Sequence, residues 1–160
     1  MTFLATGITL DVVNNVSSHS AHSYLINFSR EDFKFEWISL PDFLVARSDL
    51  ACGLVKSEEG ESFIVVAGGS NGDYVDVVEM LSLENPVEWM EGPEIPTSTF
   101  QSSSIQLRDR FMITGGNNGF FRDSVYEFGV DLKWHVKKSL KKGRNSHVMF
   151  AIPDEWANCS

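Results

Sequence analysis

The chain has 160 residues, 42% hydrophobic and 22% charged, the composition of a folded globular protein long enough for a sizeable core. Thirteen lysines and arginines against 22 aspartates and glutamates leave a formal charge of −9, which repels phosphate backbones and argues against a nucleic-acid partner. Cys52 and Cys159 make neither a disulfide framework nor a zinc site. No run approaches the roughly 18 apolar residues of a membrane span, and the apolar opening stretch lacks the basic region of a signal peptide. A cytoplasmic location, with no membrane partner, follows as the expectation.

In chain order, Phe3-Leu4-Ala5-Thr6-Gly7 reads as an opening strand, followed by a Ser-rich loop that carries His19 and His22. Tyr24 to Phe28 is a second strand, leading to Trp37 and a loop with Pro41. Arg47-Ser48-Asp49-Leu50 then opens an apolar strand. Phe63 to Ala67 is β-branched and aromatic, ends at Gly68-Gly69, and is followed by Ser70-Asn71-Gly72-Asp73. Such runs, bounded by glycine and asparagine, are strand and turn signals. Val77 to Leu81, Trp89, a loop with Pro93 and Pro96, and Thr97-Ser98-Thr99-Phe100 come next. The series then recurs: Phe111 to Thr114, Gly115-Gly116, Asn117-Asn118-Gly119, Ser124 to Phe128, Trp134, and Arg144-Asn145-Ser146-His147 before a last apolar stretch.

The two diglycines are 47 residues apart, and Trp37, Trp89 and Trp134 are spaced by 52 and 45. Aligned on Arg47, Thr97 and Arg144, the third marker starts at intervals of 50 and 47. Several markers in one order at a period near 50 indicate a repeat of four short strands.

This order resembles the kelch repeat: an Arg, a His three residues on, an apolar strand, Gly-Gly, an acidic-apolar strand and a Trp. Arg144 and His147 match in full. Arg47 matches with Leu50 in the His place, and Thr97 and Phe100 replace both in the middle repeat. The usual third-strand Tyr is Phe28, Leu81 and Phe128, and Ile8 stands where a second glycine belongs. The resemblance implies an all-β protein, a kelch-type β-propeller of about three four-stranded antiparallel blades. Residues 47–92 and 97–136 would each make a blade, and 1–40 would be completed by a C-terminal strand from 144–152, the whole forming one segment over 1–160. Gly68, Gly69, Gly115, Gly116, Trp37, Trp89, Trp134, Arg47, Arg144 and His147 would be structural. Arg144 would hydrogen-bond a neighbour's carbonyls or carboxylate, and each Trp would fill the wedge between blades. Natural rings have roughly 4–8 blades, so such a chain is either part of a longer propeller or a half-ring that self-associates into a closed one.

Function should then lie in loops, which vary while the strands hold the frame. Loops between second and third strands share a face with the linkers between blades. That face gathers Asn71, Asp73 and Tyr74, then Asn118, Phe120, Phe121 and Arg122, with Lys138 and Lys141 in the linker. Phe120-Phe121 either forms an exposed anchor for a protein or peptide or sends one ring down between blades, the commoner outcome. The lysine run on an acidic chain is either a solvated linker, the commoner outcome, or a site for an acidic peptide or a phosphate. No nucleophile elbow, phosphate loop or Cys/His dyad is present, and His19 and His22 lack a third metal ligand. The sequence therefore gives no catalytic residue, metal or cofactor. The resemblance implies a protein-interaction module, such as the substrate-recognition part of a ubiquitin-ligase adaptor or an actin-binding scaffold. The alternatives are an enzyme of galactose-oxidase or sugar-processing type, and a truncated fragment without function.

Overall fold

A computed structural model of the chain describes residues 2–5, 8–11, 16–28 and 34–152. It is all-β, with no helix among the described residues. The strands are β1 (Thr2–Ala5), β2 (Ile8–Asp11), β3 (Val16–His19), β4 (Tyr24–Phe28), β5 (Phe35–Ser39), β6 (Ala51–Lys56), β7 (Ser62–Ala67), β8 (Val78–Ser82), β9 (Met90–Glu91), β10 (Ser103–Leu107), β11 (Arg110–Thr114), β12 (Val125–Phe128) and β13 (Trp134–Val136). They form a three-stranded sheet β1-β4-β5, the hairpin β2-β3, and two four-stranded sheets, β6-β7-β8-β9 and β10-β11-β12-β13. All pairings are antiparallel.

The uninterrupted apolar run of β7 has a simple cause: its sheet is buried on both faces. Phe63, Val65 and Ala67 join Val55, Val78 and Met80 of the same sheet against Phe111, Ile113, Tyr126 and Phe128 of the last sheet. Ile64 and Val66 point the other way, with Leu81 and Trp89, toward Leu25, Leu40 and Phe43. A strand with water on one face would alternate; one between two sheets need not. Burying each such side chain is worth about 1.5–3 kcal/mol.

The sheets are joined by a repeated set of backbone hydrogen bonds. Gly69 donates to the Thr99 carbonyl at 2.9 Å and Gly116 to that of Arg144 at 2.8 Å. Both diglycines have positive φ at each residue, and a Cβ on Gly68 or Gly115 would overlap the same carbonyl. Glycine is required by close approach as well as conformation. Asp49, Gln101 and Ser146 are all left-handed, and they form a ladder: Gln101 donates to Asp49 at 3.0 Å and Ser146 to Gln101 at 2.8 Å.

These bonds correct the repeat frame. The residue two before each left-handed position is Arg47, Thr99 and Arg144, so Thr99 and not Thr97 holds the arginine place, and Ser102, not Phe100, the histidine place. Leu40, Gly92 and Lys137 donate to Ser23, Val78 and Val125, so Tyr24, Glu79 and Tyr126 are equivalent. Ile26, not Phe28, is therefore the counterpart of Phe128; each pairs with the tryptophan of its sheet, Trp37 and Trp134.

Two expectations fail at the ends. Residues 144–152 form no strand and do not pair with β1; they lie instead along the last sheet, with His147 Nε2 2.8 Å from Thr114 Oγ1. A strand needs an open edge within reach, and β1 lies on the far side of the central sheet. Trp37 fills no wedge either: it is 61% exposed, against 3% for Trp89. Trp89 donates its indole N–H to Pro41 O, and Trp134 to Pro93 O, each at 2.9 Å. Pro41 and Pro93 both stand four residues after the tryptophan of the preceding sheet. Trp37 has no described sheet in front of it to supply that carbonyl.

Candidate functional site

The loops after β7 and β11 are built alike. Ser70 bridges Ser48 and Tyr74, while Asn117 bridges Phe100 and Phe121. The turn between is pinned by a side chain, Ser70 Oγ accepting from the Gly72 N–H at 3.2 Å and Asn117 Oδ1 from the Gly119 N–H at 2.8 Å. Asn71 matches Asn118, Asp73 matches Phe120, and Tyr74 matches Phe121. Gly72 and Gly119 both have positive φ, as turns of this kind ask.

Equivalent positions end in different surroundings. Tyr74 stacks on Phe100 of the next sheet, centroids 5.6 Å apart, with its hydroxyl toward the Gly119 turn. The first loop is thus laid against the base of the second. Phe120 and Phe121 are 78% and 65% exposed. The expectation that one ring packs down is overturned, because the ledge that receives Tyr74 is Phe100, whereas Phe121 meets its following linker through its own carbonyl at Gly143. A tight turn offering two exposed aromatics is costly in water and informative.

The linker lies on this same face. Leu140 donates to the Asp123 carbonyl and Arg144 to that of Arg122. Lys137 is committed elsewhere, its ammonium 3.1 Å from Glu127. Burial alone would raise the Glu127 carboxyl, but the Lys137 hydrogen bond, with the charges of Lys137 and Arg110, holds it below the usual range. Arg122 is half-buried; Lys138, Lys141, Lys142 and Arg144 are exposed, a basic rim beside the aromatic pair. Asn118 carries a buried Oδ1 with no protein partner, while Asn71 Oδ1 accepts a 3.3 Å bond from the Asp73 N–H. The structure therefore draws Tyr74, Asn118, Phe120, Phe121 and Arg122 into one surface around the second loop, flanked by the linker.

The structural residues divide. Arg47 is wholly buried, its Nη2 2.7 Å from Glu79 Oε1 and its Nη1 donating to Val77 O. Burial lowers the pKa of the guanidinium, against the charge of Glu79, which raises it. Arg144 is exposed, and among the described residues its side chain bonds only the Lys142 carbonyl, at 3.5 Å, so its expected side-chain bonds to a neighbouring sheet are not seen there. Cys52 is partly buried, its thiol pushed up by burial. His22 pairs with Asp42 at 2.8 Å. Among the described residues no group of three or more His, Cys, Asp or Glu is placed to hold a metal ion, and no helix is long and apolar enough to cross a membrane.

Sequence reasoning missed Phe100 as part of the surface. The signal was its place just before the left-handed Gln101, which only the corrected frame gives.

Neither a protein-family model nor a curated protein matches the sequence. Among solved structures the chain is similar to one described as "Structure of YjhT", with a TM-score of 0.56 and 13% identity over 78% of this chain. The match spans 41% of that chain's length. At that identity the likeness is one of fold.

Proposed function

We propose that the chain is a segment of a kelch-type β-propeller that binds a protein or peptide through the face formed by its second-to-third-strand loops and its linkers. The blade assignment is supported by the stack of four-stranded antiparallel sheets, the diglycine-to-linker hydrogen bonds, and the tryptophan indole that reaches back to the preceding sheet. The observation that carries the binding role is the pair Phe120 and Phe121, both exposed on a turn whose backbone is fixed. Aromatic anchors on a rigid base bind with little ordering cost. Arg122, Lys138 and Lys141 beside them favour a ligand with an apolar residue flanked by carboxylates. Substrate recruitment to a ubiquitin ligase and cytoskeletal scaffolding are both uses of such a surface.

The test is a binding screen of the immobilised chain against a library of acidic peptides, each containing one large apolar residue. Binding should fall at least about tenfold for F120A/F121A. For K138E/K141E the association rate should fall and lose its salt dependence. Ligands that bind the F120A/F121A variant as well as the parent chain would refute the reading.

A further inference from the structure

Two features at opposite ends of the stack are incomplete in complementary ways. At one end β1 is an edge strand, hydrogen-bonded to β4 alone among the described residues, and the sheet shows Trp37 and Tyr24 to solvent. At the other end residues 144–152 run beside the last sheet, with Val148 at 84% exposure and Phe150 at 77%. Val148-Met149-Phe150-Ala151-Ile152 is apolar throughout, as in a strand awaiting an edge and a cover on both faces.

The register says which edge fits. Met149 stands five residues after Arg144, as Cys52 does after Arg47, and Cys52 pairs with Val66. Val66 pairs with Glu79, whose counterpart Tyr24 pairs with Ala5. By that equivalence Met149 belongs opposite Ala5, and Phe150 opposite Leu4. In one chain they cannot meet. The 144–147 segment is fixed to the last sheet through the Arg144 carbonyl, the Ser146 N–H and His147, and the central sheet lies between it and β1.

The geometry points to a second copy of this chain as the occupant: residues 144–147 stay on their own last sheet while 148–152 cross over, each molecule adding a first strand to the other's β1-β4-β5 sheet. The exchange seats that sheet on the partner's last sheet in the relation already present twice within the chain. The Trp37 indole then reaches the carbonyl of Lys138, which stands four residues after Trp134 as Pro41 does after Trp37. Arg110 and Glu127 occupy the places of Phe63 and Met80 on that outer face, so the new contact is a guanidinium against aromatic rings. Main-chain hydrogen bonds along an added strand supply the affinity. The turn that carries Phe120 and Phe121 takes no part in the exchange.

The solution mass of the purified full chain should be that of two chains at micromolar concentration. In a Cys159→Ser background, oxidation of A5C/M149C should give a covalent dimer, and neither single variant should. V148D/F150D, with its sheet circular-dichroism signal retained, should be monomeric. A monomeric parent chain, a disulfide closed within one chain, or a V148D/F150D variant that stays dimeric would each overturn the exchange. Peptide binding by a monomeric V148D/F150D variant separates this result from the fate of the loop site.

Discussion

Arg47 and Glu79 meet at 2.7 Å with neither side chain exposed, and in the next sheet both are replaced together, by Thr99 and Tyr126. Glu79 also accepts from the N–H groups of Leu44 and Val45, at 2.7 and 3.1 Å. In the last sheet the Tyr126 hydroxyl takes over by donating to Thr97 Oγ1, two residues before Thr99. One sheet closes its linker with a charge pair and the other with a phenol. Neither sheet keeps half of the other's solution.

Breaking the pair should therefore be severe, and exchanging it mild. E79A leaves a buried guanidinium unpaired and should cost about 3–5 kcal/mol. The triple change V45T/R47T/E79Y, which copies the last sheet, should recover more than half of that. Urea unfolding midpoints at equal slope would show it, and a triple variant as unstable as E79A would contradict it.

The glycine positions separate two effects. G68A and G115A meet a carbonyl as well as a left-handed backbone, whereas Gly60 has positive φ and nothing near its missing Cβ. G60A should cost about 1–2 kcal/mol, and G115A clearly more. Equal losses in a denaturation series would remove the close-approach argument.

The tryptophans should rank by cover. W89A empties a buried site and should cost about 3–5 kcal/mol. Below the concentration at which chains associate, W37A should change stability by less than about 1 kcal/mol. Thermal unfolding at two concentrations measures both.

His147 gives the C-terminal segment a pH dependence. Thr114 Oγ1 lies 3.2 Å from the Met149 sulfur, which it can bond only as donor, so His147 Nε2 is the donor to Thr114. Nδ1 is then a bare, buried lone pair without an acceptor for a second proton. Burial, and then the Arg144 charge, lower its pKa. A base with a lowered pKa binds fewer protons folded than free, so docking of 144–149 is complete above the ordinary histidine range, near 6.5, and weakens as pH falls through it. NMR titration of the His147 ring should give a midpoint below about 6.5, with Ser146 and Met149 amide signals broadening in the same window. H147A should lose that response.

Much of the fold was legible because close packing on both faces of a sheet leaves a continuous apolar run, and a shared wedge leaves a tryptophan. Phe63 to Ala67 and Trp89 say this directly. In the middle linker Thr97, Ser98 and Thr99 stand together, so residue type does not single out one of them and spacing alone decides. The tryptophan intervals of 52 and 45, applied to Arg47, lead to Thr99 and Arg144. No glycine stands between Asp11 and Val16 in the sequence to announce the pairing of β2 with β3. The fate of Phe120 and Phe121 was not legible at all, since exposure there depends on whether the next linker offers a ring like Phe100. The strand character of 144–152 was readable, but pairing is a property of two edges, and one chain provides only one of them within reach.

The left-handed residues Asp49, Gln101 and Ser146 each stand twelve positions after the tryptophan of the preceding sheet, while the turns between first and second strands, 57–61 and 108–109, differ in length. Because the ladder joins main-chain atoms, side chains in those twelve-residue stretches are free to drift, but their length is not. A single inserted residue there would throw every later sheet out of step, whereas the hairpin turns at 57–61 and 108–109 can be lengthened. Those turns are where a tag or a grafted epitope belongs.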